Sequence, residues 1–246
     1  MDAFIQVMES TIATKDPYTV THQREVTRIA CTIAQELGLS EDRLRDLCIA
    51  GALHDLGKIA IPSGLLAKSG KLNAMEFALL KTHPQVAYNI LKPIKLPGNA
   101  AEIILQHHER LDGSGYPQGL MGHAIFLEAR ILSVADVIEA MCSHRPYRAS
   151  LGMTVTLGEL NRNKGVLYDA AVVQIGLQLF APDQLVTPAD TCGLPATAVT
   201  HMQYSAFVSD AAPVQPGSLL SEDYPWFKNW GAEYAPVSPP RVGRNH

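Results

Sequence analysis

The sequence predicts an all-α protein with an irregular, proline-rich C-terminal tail. Three observations predict it. Apolar residues recur at three- and four-residue spacing through most of the first 180 positions, the period of an amphipathic helix. The periodic stretches are punctuated by helix-capping residues and by Gly or Pro. No pair of alternating, strand-like runs occurs, and there is no internal repeat. With 246 residues, 47% of them hydrophobic, the chain can bury one core of ordinary size.

Residues 2–15 carry Phe4, Ile5, Met8 and Ile12 at helical spacing. Asp16-Pro17 breaks that segment, and Pro suits the first turn of the next. A helix over about 18–37 presents Val26, Ile29, Ile33 and Leu37 as one stripe and stops at Gly38. His22 lies one turn before Val26 on the same face. Ser40 is the expected N-cap of the following helix, with Leu39 and Leu44 as a hydrophobic staple. That helix carries Leu44, Leu47, Cys48 and Leu53, then the small run Ala50-Gly51-Ala52, and delivers His54-Asp55 with Gly57 as its stop.

Residues 59–71 read as an extended loop with Pro62, Gly64 and Gly70. Asn73 with Glu76 is a capping-box variant for a helix through about 81. His83 precedes a proline, which disfavours helical geometry and sets it at a kink or a helix start. From Asn99 a helix brings Ile103, Ile104 and Leu105 to one wall with His107 and His108 at its end. The loop Glu109–Gly119 follows. Residues 125–142 look buried nearly all round, with Asp136 among Leu132 and Ala140. Weaker helical material covers 154–180. The expected organisation is a helical linker at 1–15, one domain at 16–180 and an irregular extension at 181–246, which holds both tryptophans and most of the prolines.

The bulk numbers exclude several classes. A net charge of −4 and a pI near 6.1 argue against a DNA or RNA binder. No apolar run approaches the roughly 20 residues that span a membrane, and no basic n-region precedes an apolar core at the N-terminus. Cys31, Cys48, Cys142 and Cys192 form no CxxC pair. Free thiols and a reducing, cytoplasmic location are expected.

The chemistry concentrates on a few polar residues in apolar surroundings. Burying the Asp55 carboxylate unpaired costs several kcal/mol, roughly, so it needs a cation or strong donors. A core His54–Asp55 hydrogen bond answers that need, and so does a metal ion. The same pair of readings holds for His22 and His83 taken singly. Two adjacent inward imidazoles, His107 and His108, are harder to explain as core filling. Together, His22, His54, Asp55, His83, His107, His108 and Asp136 exceed what one ion needs and fit two, bridged by Asp55. Mixed nitrogen and oxygen ligation points to Fe, Mn, Zn, Co or Ni rather than Ca or Mg. Such a pair suits phosphate-ester hydrolysis, because two metals activate water and hold both entering and leaving oxygens. Lys58, Arg145 and Arg148 add the positive charge a phosphodiester requires.

His54-Asp55-Leu56-Gly57-Lys58, followed by His107-His108-Glu109-Arg110-Leu111-Asp112-Gly113-Ser114-Gly115-Tyr116-Pro117, resembles the HD-GYP family, a branch of the HD phosphohydrolases. Asp16-Pro17-Tyr18-Thr19 with His22, Lys81-Thr82-His83-Pro84 and Ser133-Val134-Ala135-Asp136 with Arg145-Pro146-Tyr147-Arg148 fall in the matching order, across about residues 10–180. The resemblance implies an HD-domain helical bundle that hydrolyses cyclic di-GMP to linear pGpG, sometimes onward to GMP. It implies His54, Asp55 and Lys58 as catalytic residues and the seven His and Asp residues above as ligands of two divalent ions, Fe or Mn foremost. Lys58, Tyr116, Arg145 and Arg148 match substrate contacts. A sensory or GGDEF-type signalling partner and a homodimer through the first helix are the associated expectations.

Two positions depart from the family pattern. Tyr18 stands where some members carry a Glu that holds a third metal, so two ions, and pGpG as the product, are expected. Tyr168-Asp169-Ala170 stands where Phe-Asp-Pro is usual, with consequences for packing alone. The alternatives to cyclic di-GMP hydrolysis are a silent cyclic di-GMP receptor and a phosphodiesterase for another cyclic dinucleotide such as cyclic GMP-AMP.

Overall fold

The computed structural model describes residues 2–180 except 69, 95, 97 and 144–149. The extension at 181–246 and the predicted contacts Arg145 and Arg148 lie outside the described residues. Among those described there are ten α-helices and no β-strand, only isolated bridges such as Asp112–Met121. In chain order the helices are α1 (Asp2–Ala13), α2 (Pro17–Glu36), α3 (Glu41–Leu53), α4 (Ser63–Leu66), α5 (Ala74–Leu80), α6 (His83–Leu91), α7 (Ala100–Gln106), α8 (Leu127–Cys142), α9 (Met153–Arg162) and α10 (Ala170–Phe180). A 3-10 segment, Leu56–Ala60, follows α3.

Most predicted boundaries follow from local chemistry. Asp16 accepts hydrogen bonds from the Tyr18 backbone N–H at 3.0 Å and the Thr19 hydroxyl at 2.8 Å, which starts α2. Asn73 and Glu76 form a reciprocal capping box at α5. Ser40 precedes α3 but makes no side-chain cap bond. The expected loop at 59–71 contains the single turn of α4, and the 154–180 segment divides into α9 and α10. At that division the Asp169 carboxylate accepts from the backbone N–H groups of Ala171 and Val172 and pairs with Arg130.

Helix α2 lies against both α3 and α8, while α6 packs on α7 and on the 3-10 segment. Val26, Ile29 and Ile33 of α2 meet Leu47 and Leu53 of α3 and Ile131, Val134 and Ile138 of α8 in one core. Fully burying side chains of this kind contributes about 1.5–3 kcal/mol each. The close approach of α2 to α3 depends on Gly51, since a Cβ there would stand 3.1 Å from the Thr27 Cα. The same approach joins Cys31 of α2 to Cys48 of α3 in a disulfide, with Cα atoms 6.5 Å apart. This corrects the expectation of free thiols for Cys31 and Cys48; Cys142 forms no disulfide, and Cys192 lies outside the described residues. The bonded residues are 17 apart in sequence, so only the helix pairing reveals the bond.

Gly57 also has a different role from the one expected. Helix α3 ends at Leu53, four residues earlier. A Cβ on Gly57 would fall 1.9 Å from the His83 carbonyl oxygen and 2.8 Å from the Ala87 backbone nitrogen. The glycine is therefore the contact at which the 3-10 segment seats on α6. Substituting Gly57→Ala should destabilise the fold by about 3 kcal/mol or more, since the clash is with backbone rather than a movable side chain. Thermal unfolding checks this, and a melting temperature within a degree or two of the parent would refute the close-packing account.

Candidate metal centre

The polar cluster forms where the end of α3, the start of the 3-10 segment, the start of α6 and the end of α7 converge on α2 and α8. His54 is the residue that caps α3, and Asp55 opens the 3-10 segment. His83 is the first residue of α6, next to Pro84. His107 caps α7 and His108 follows it. His22 comes from the second turn of α2 and Asp136 from the middle of α8. All seven are buried, and none exceeds 7% exposure. The apolar stripes on α2, α3 and α8 require this: the face that fills the core also carries the polar side chain to the centre.

Asp55 lies at the middle. Its Oδ2 is 2.7 Å from Lys58 Nζ, 3.6 Å from His54 Nε2 and 3.7 Å from His22 Nε2. Its Oδ1 is 3.5 Å from His83 Nε2. Two groups of three donors flank it: His22 with His54 and Asp136, and His83 with His107 and His108. Within each group the donor atoms lie within 4.8 Å of one another, and a third such group, His54, Asp55 and His107, joins the two.

The ring orientations are set by the backbone. His54 Nδ1 donates to the Gly51 carbonyl at 2.8 Å, His83 Nδ1 to Leu80 at 2.9 Å and His107 Nδ1 to Ile104 at 2.6 Å. A donated Nδ1–H leaves the Nε2 lone pair of a neutral ring aimed inward. His54 Nε2 has no hydrogen-bond partner, and the Nε2 atoms of His83 and His107 face each other at 3.4 Å. Converging lone pairs repel unless a cation lies among them, so these residues fit divalent metal ions.

The charge states agree with the geometry. Burial lowers His54, His107 and His108, and it brings His83 down to about 4, keeping the imidazoles neutral at pH 7. Burial alone would raise Asp55, but Lys58 and the surrounding histidines hold it well below the usual carboxylate range. Asp136 is likewise held down against burial, chiefly by His22. The donor set thus combines the neutral imidazoles of His54, His83, His107 and His108 with the ionised carboxylates of Asp55 and Asp136, the forms that bind metals.

The cleft above this floor is walled by Lys58, Tyr116 and Ala140, and by Phe77 and Leu80 of α5. Tyr116 stacks on His108, with ring centroids 4.7 Å apart and planes inclined by 28°. Tyr18 is 60% exposed and outside this wall.

Two positioning carboxylates were not anticipated from sequence. Glu139 bonds His22 Nδ1, which turns the His22 Nε2 toward Asp136 at 3.2 Å. It stands one helical turn after Asp136, a spacing that places both on one face of α8. Glu109, 2% exposed, accepts from the backbone N–H groups of Gln118 at 2.7 Å and Leu120 at 3.0 Å. It pins the loop that carries Tyr116, whose own N–H donates to the His108 carbonyl at 3.2 Å. Its adjacency to the two histidines and the loop that follows were legible, but the hydrogen bonds by which it pins that loop were not.

Residues 6–172 match the family model described as HD domain. The chain belongs to the HD domain family. It is 44% identical over 161 residues to the cyclic di-GMP phosphodiesterase response regulator RpfG of Xanthomonas campestris pv. campestris, covering 65% of this chain and 43% of that one. A cyclic di-GMP phosphodiesterase of Thermotoga maritima is 39% identical over 167 residues, covering 67% and 45%. The 3'3'-cGAMP-specific phosphodiesterase 1 of Vibrio cholerae is 37% identical over 147 residues, covering 60% and 34%. The chain thus spans less than half the length of these curated relatives. Among solved structures, an HDGYP protein from Bdellovibrio bacteriovorus superposes with a TM-score of 0.54 at 22% identity, covering 63% of this chain and 50% of that one. The HD domain of the L. monocytogenes phosphodiesterase PgpH gives 0.52 at 17%, covering 68% and 92%. These likenesses establish the HD-domain fold.

Two outcomes follow from the centre. In metal-free protein, the unfolded chain takes up protons on these histidines near pH 6.5, whereas the folded chain takes them up only at lower pH. Stability therefore falls as pH drops from 7 toward 5, and the unfolding temperature should decrease by on the order of 10 °C; a flat pH profile would contradict neutral, buried imidazoles. Replacing Glu139→Ala should weaken metal affinity roughly 10- to 100-fold with the fold retained. Metal titration checks this, and unchanged affinity would mean that Glu139 does not orient His22.

Proposed function

We propose that residues 16–180 form a phosphodiesterase domain that hydrolyses cyclic di-GMP to linear pGpG, with GMP at most a later product. The observation that carries this reading is the pair of three-donor groups with Asp55 between them, beneath a cleft that holds a lysine and an aromatic ring. Cyclic di-GMP phosphodiesterases among the relatives support the substrate class.

Two divalent ions, Fe or Mn foremost, would be held by His22, His54, Asp55 and Asp136 on one side and by Asp55, His83, His107 and His108 on the other. Bound there, they would supply Lewis acidity toward the phosphoryl group and activate water. Tyr18 offers no carboxylate at the position of the family's third-metal Glu, which supports two ions rather than three. Lys58, held 2.7 Å from Asp55 Oδ2, would stabilise charge that develops on the phosphoryl oxygens. Tyr116 would face the substrate, and Arg145 and Arg148 would contact its phosphates.

Seven donor groups converging on one point weigh against a silent receptor, which needs none of them. A second reading, 3'3'-cGAMP as the substrate, rests on relatives named for that specificity, beside those named for cyclic di-GMP that support the first. A cytoplasmic site of action goes with a cyclic dinucleotide substrate. Among the described residues no helix is long and apolar enough to cross a membrane. A sensory or GGDEF-type signalling partner and a homodimer belong to the same proposal.

The deciding experiment is hydrolysis of cyclic di-GMP by protein loaded anaerobically with Fe(II) or Mn(II), with products separated by chromatography. Release of pGpG is expected, together with a loss of at least about a thousandfold in the His54→Ala, Asp55→Ala double variant. Turnover that survives the double change would overturn the site assignment. Intact substrate in the metal-loaded parent would overturn the phosphodiesterase reading.

A further inference from the structure

One oxygen of Asp55 is claimed twice. Oδ2 accepts from Lys58 Nζ at 2.7 Å, and it also faces His54 Nε2 at 3.6 Å and His22 Nε2 at 3.7 Å. The other oxygen, Oδ1, faces His83 Nε2 at 3.5 Å. The ammonium therefore stands on the oxygen turned toward the His22, His54 and Asp136 group, rather than the one turned toward His83, His107 and His108. The 3-10 turn enforces the pairing. Lys58 N–H donates to the Asp55 carbonyl at 2.9 Å, and side chains three apart in a 3-10 helix eclipse.

That position opposes a metal ion. A dication drawing on Oδ2 would be separated from the ammonium by a single oxygen atom. At that range, in a buried setting, like charges repel strongly. The oxygen can serve the ammonium or the dication well, but not both. Lys58 has somewhere else to go. Its side chain is 24% exposed and lines the cleft, and its flexible four-carbon stem lets the ammonium turn from carboxylate to cleft without backbone movement. Lys81, the residue after α5, is engaged differently: its Nζ lies over the Phe77 and Tyr116 rings, 4.6 and 5.1 Å from their centroids. In the cleft, the phosphoryl group of a bound substrate is a second anion for the Lys58 ammonium.

Resting on the phosphodiesterase reading for its substrate, we propose that Lys58 is an internal counterion that yields Asp55 to a divalent ion. Lys58 neutralises the carboxylate until an ion occupies the His22, His54 and Asp136 group. Its ammonium is then released into the cleft, where it meets the phosphoryl oxygens of the substrate. Metal occupancy thereby arms the phosphate-binding group. By reciprocity, an anion that holds Lys58 in the cleft favours metal at that group.

The test titrates the full, metal-stripped chain with Mn(II) in the absence of substrate, reading the free ion by electron paramagnetic resonance. Lys58→Gln keeps a hydrogen-bond donor and removes the charge. It should tighten one of two Mn(II) sites roughly 10- to 100-fold and leave the second at its parent affinity. Lys58→Arg, which keeps the charge, should match the parent. At saturating Mn(II), kcat of Lys58→Gln for cyclic di-GMP should nevertheless fall about a hundredfold; an undiminished kcat would overturn the arming role. A lysine that merely orients Asp55 has the opposite signature, weaker metal binding on substitution. Weakened or unchanged affinity in Lys58→Gln therefore overturns the proposal. A second measurement needs no variant. Acylation of Lys58 in the parent by an N-hydroxysuccinimide ester, read by mass spectrometry against Lys164, should be about tenfold faster with Mn(II) bound than in the metal-stripped chain; a rate that is unchanged or slower overturns the release. If the antagonism is found and cyclic di-GMP stays intact, the displacement stands and the phosphodiesterase reading fails. Hydrolysis without antagonism has the reverse meaning, and a chain that binds no Mn(II) overturns both.

Discussion

A carboxylate with 1% exposure cannot remain ionised in an apolar core without compensation, and Asp55 receives it from four sides. Lys58 bonds one oxygen, and His22 and His54 face that same oxygen, while His83 faces the other. These partners come from α2, the end of α3, the 3-10 segment and α6. None can move far without leaving the charge uncompensated. The crossing of α2 and α3 at Gly51, and the seating of the 3-10 segment on α6 at Gly57, are the backbone contacts that bring them within range. The fold and the site therefore impose the same requirement: helix ends must meet at one buried point.

A second layer makes that meeting specific. Carbonyl groups left over at the ends of α3 and α7, and in the turn before α6, accept from His54, His107 and His83. Helix termini normally leave such groups to water or to caps; here each orients a ring and aims its Nε2 inward. Glu139 serves His22 in the same way from the neighbouring helix. The consequence is a cluster of lone pairs with no protons between them, held apart from solvent. Such a cluster is an unstable arrangement for an empty core and a prepared one for cations.

The outer wall follows from Glu109. By accepting from two backbone N–H groups of the loop, it folds residues 112–120 back over the histidines. Gly115 has no room for a side chain, because a Cβ would lie 2.4 Å from the Glu109 Cα. Tyr116 consequently stacks on His108 and closes one side of the cleft opposite α5. One run of the chain, residues 107–117, thus supplies two histidines of the floor and the Tyr116 wall, with α5 completing the mouth.

What the sequence by itself determined is the helical period, most caps, and the residues whose polarity is incompatible with burial alone. His22 on an apolar stripe, His54-Asp55 after a small-residue run, the His107-His108 pair and Asp136 in an apolar helix could all be picked out, because local patterning and the cost of desolvation are properties of short segments. Glu139 was within reach for the same reason, as the next residue on Asp136's face. Other features depended on separations that no local pattern encodes. The Cys31–Cys48 bond, the steric role of Gly57 against His83, and the meeting of Phe77, Lys81 and Tyr116 each required packed helices. Their physical basis is contact between segments distant in the chain, and only the tertiary structure decides which of the many conceivable contacts form.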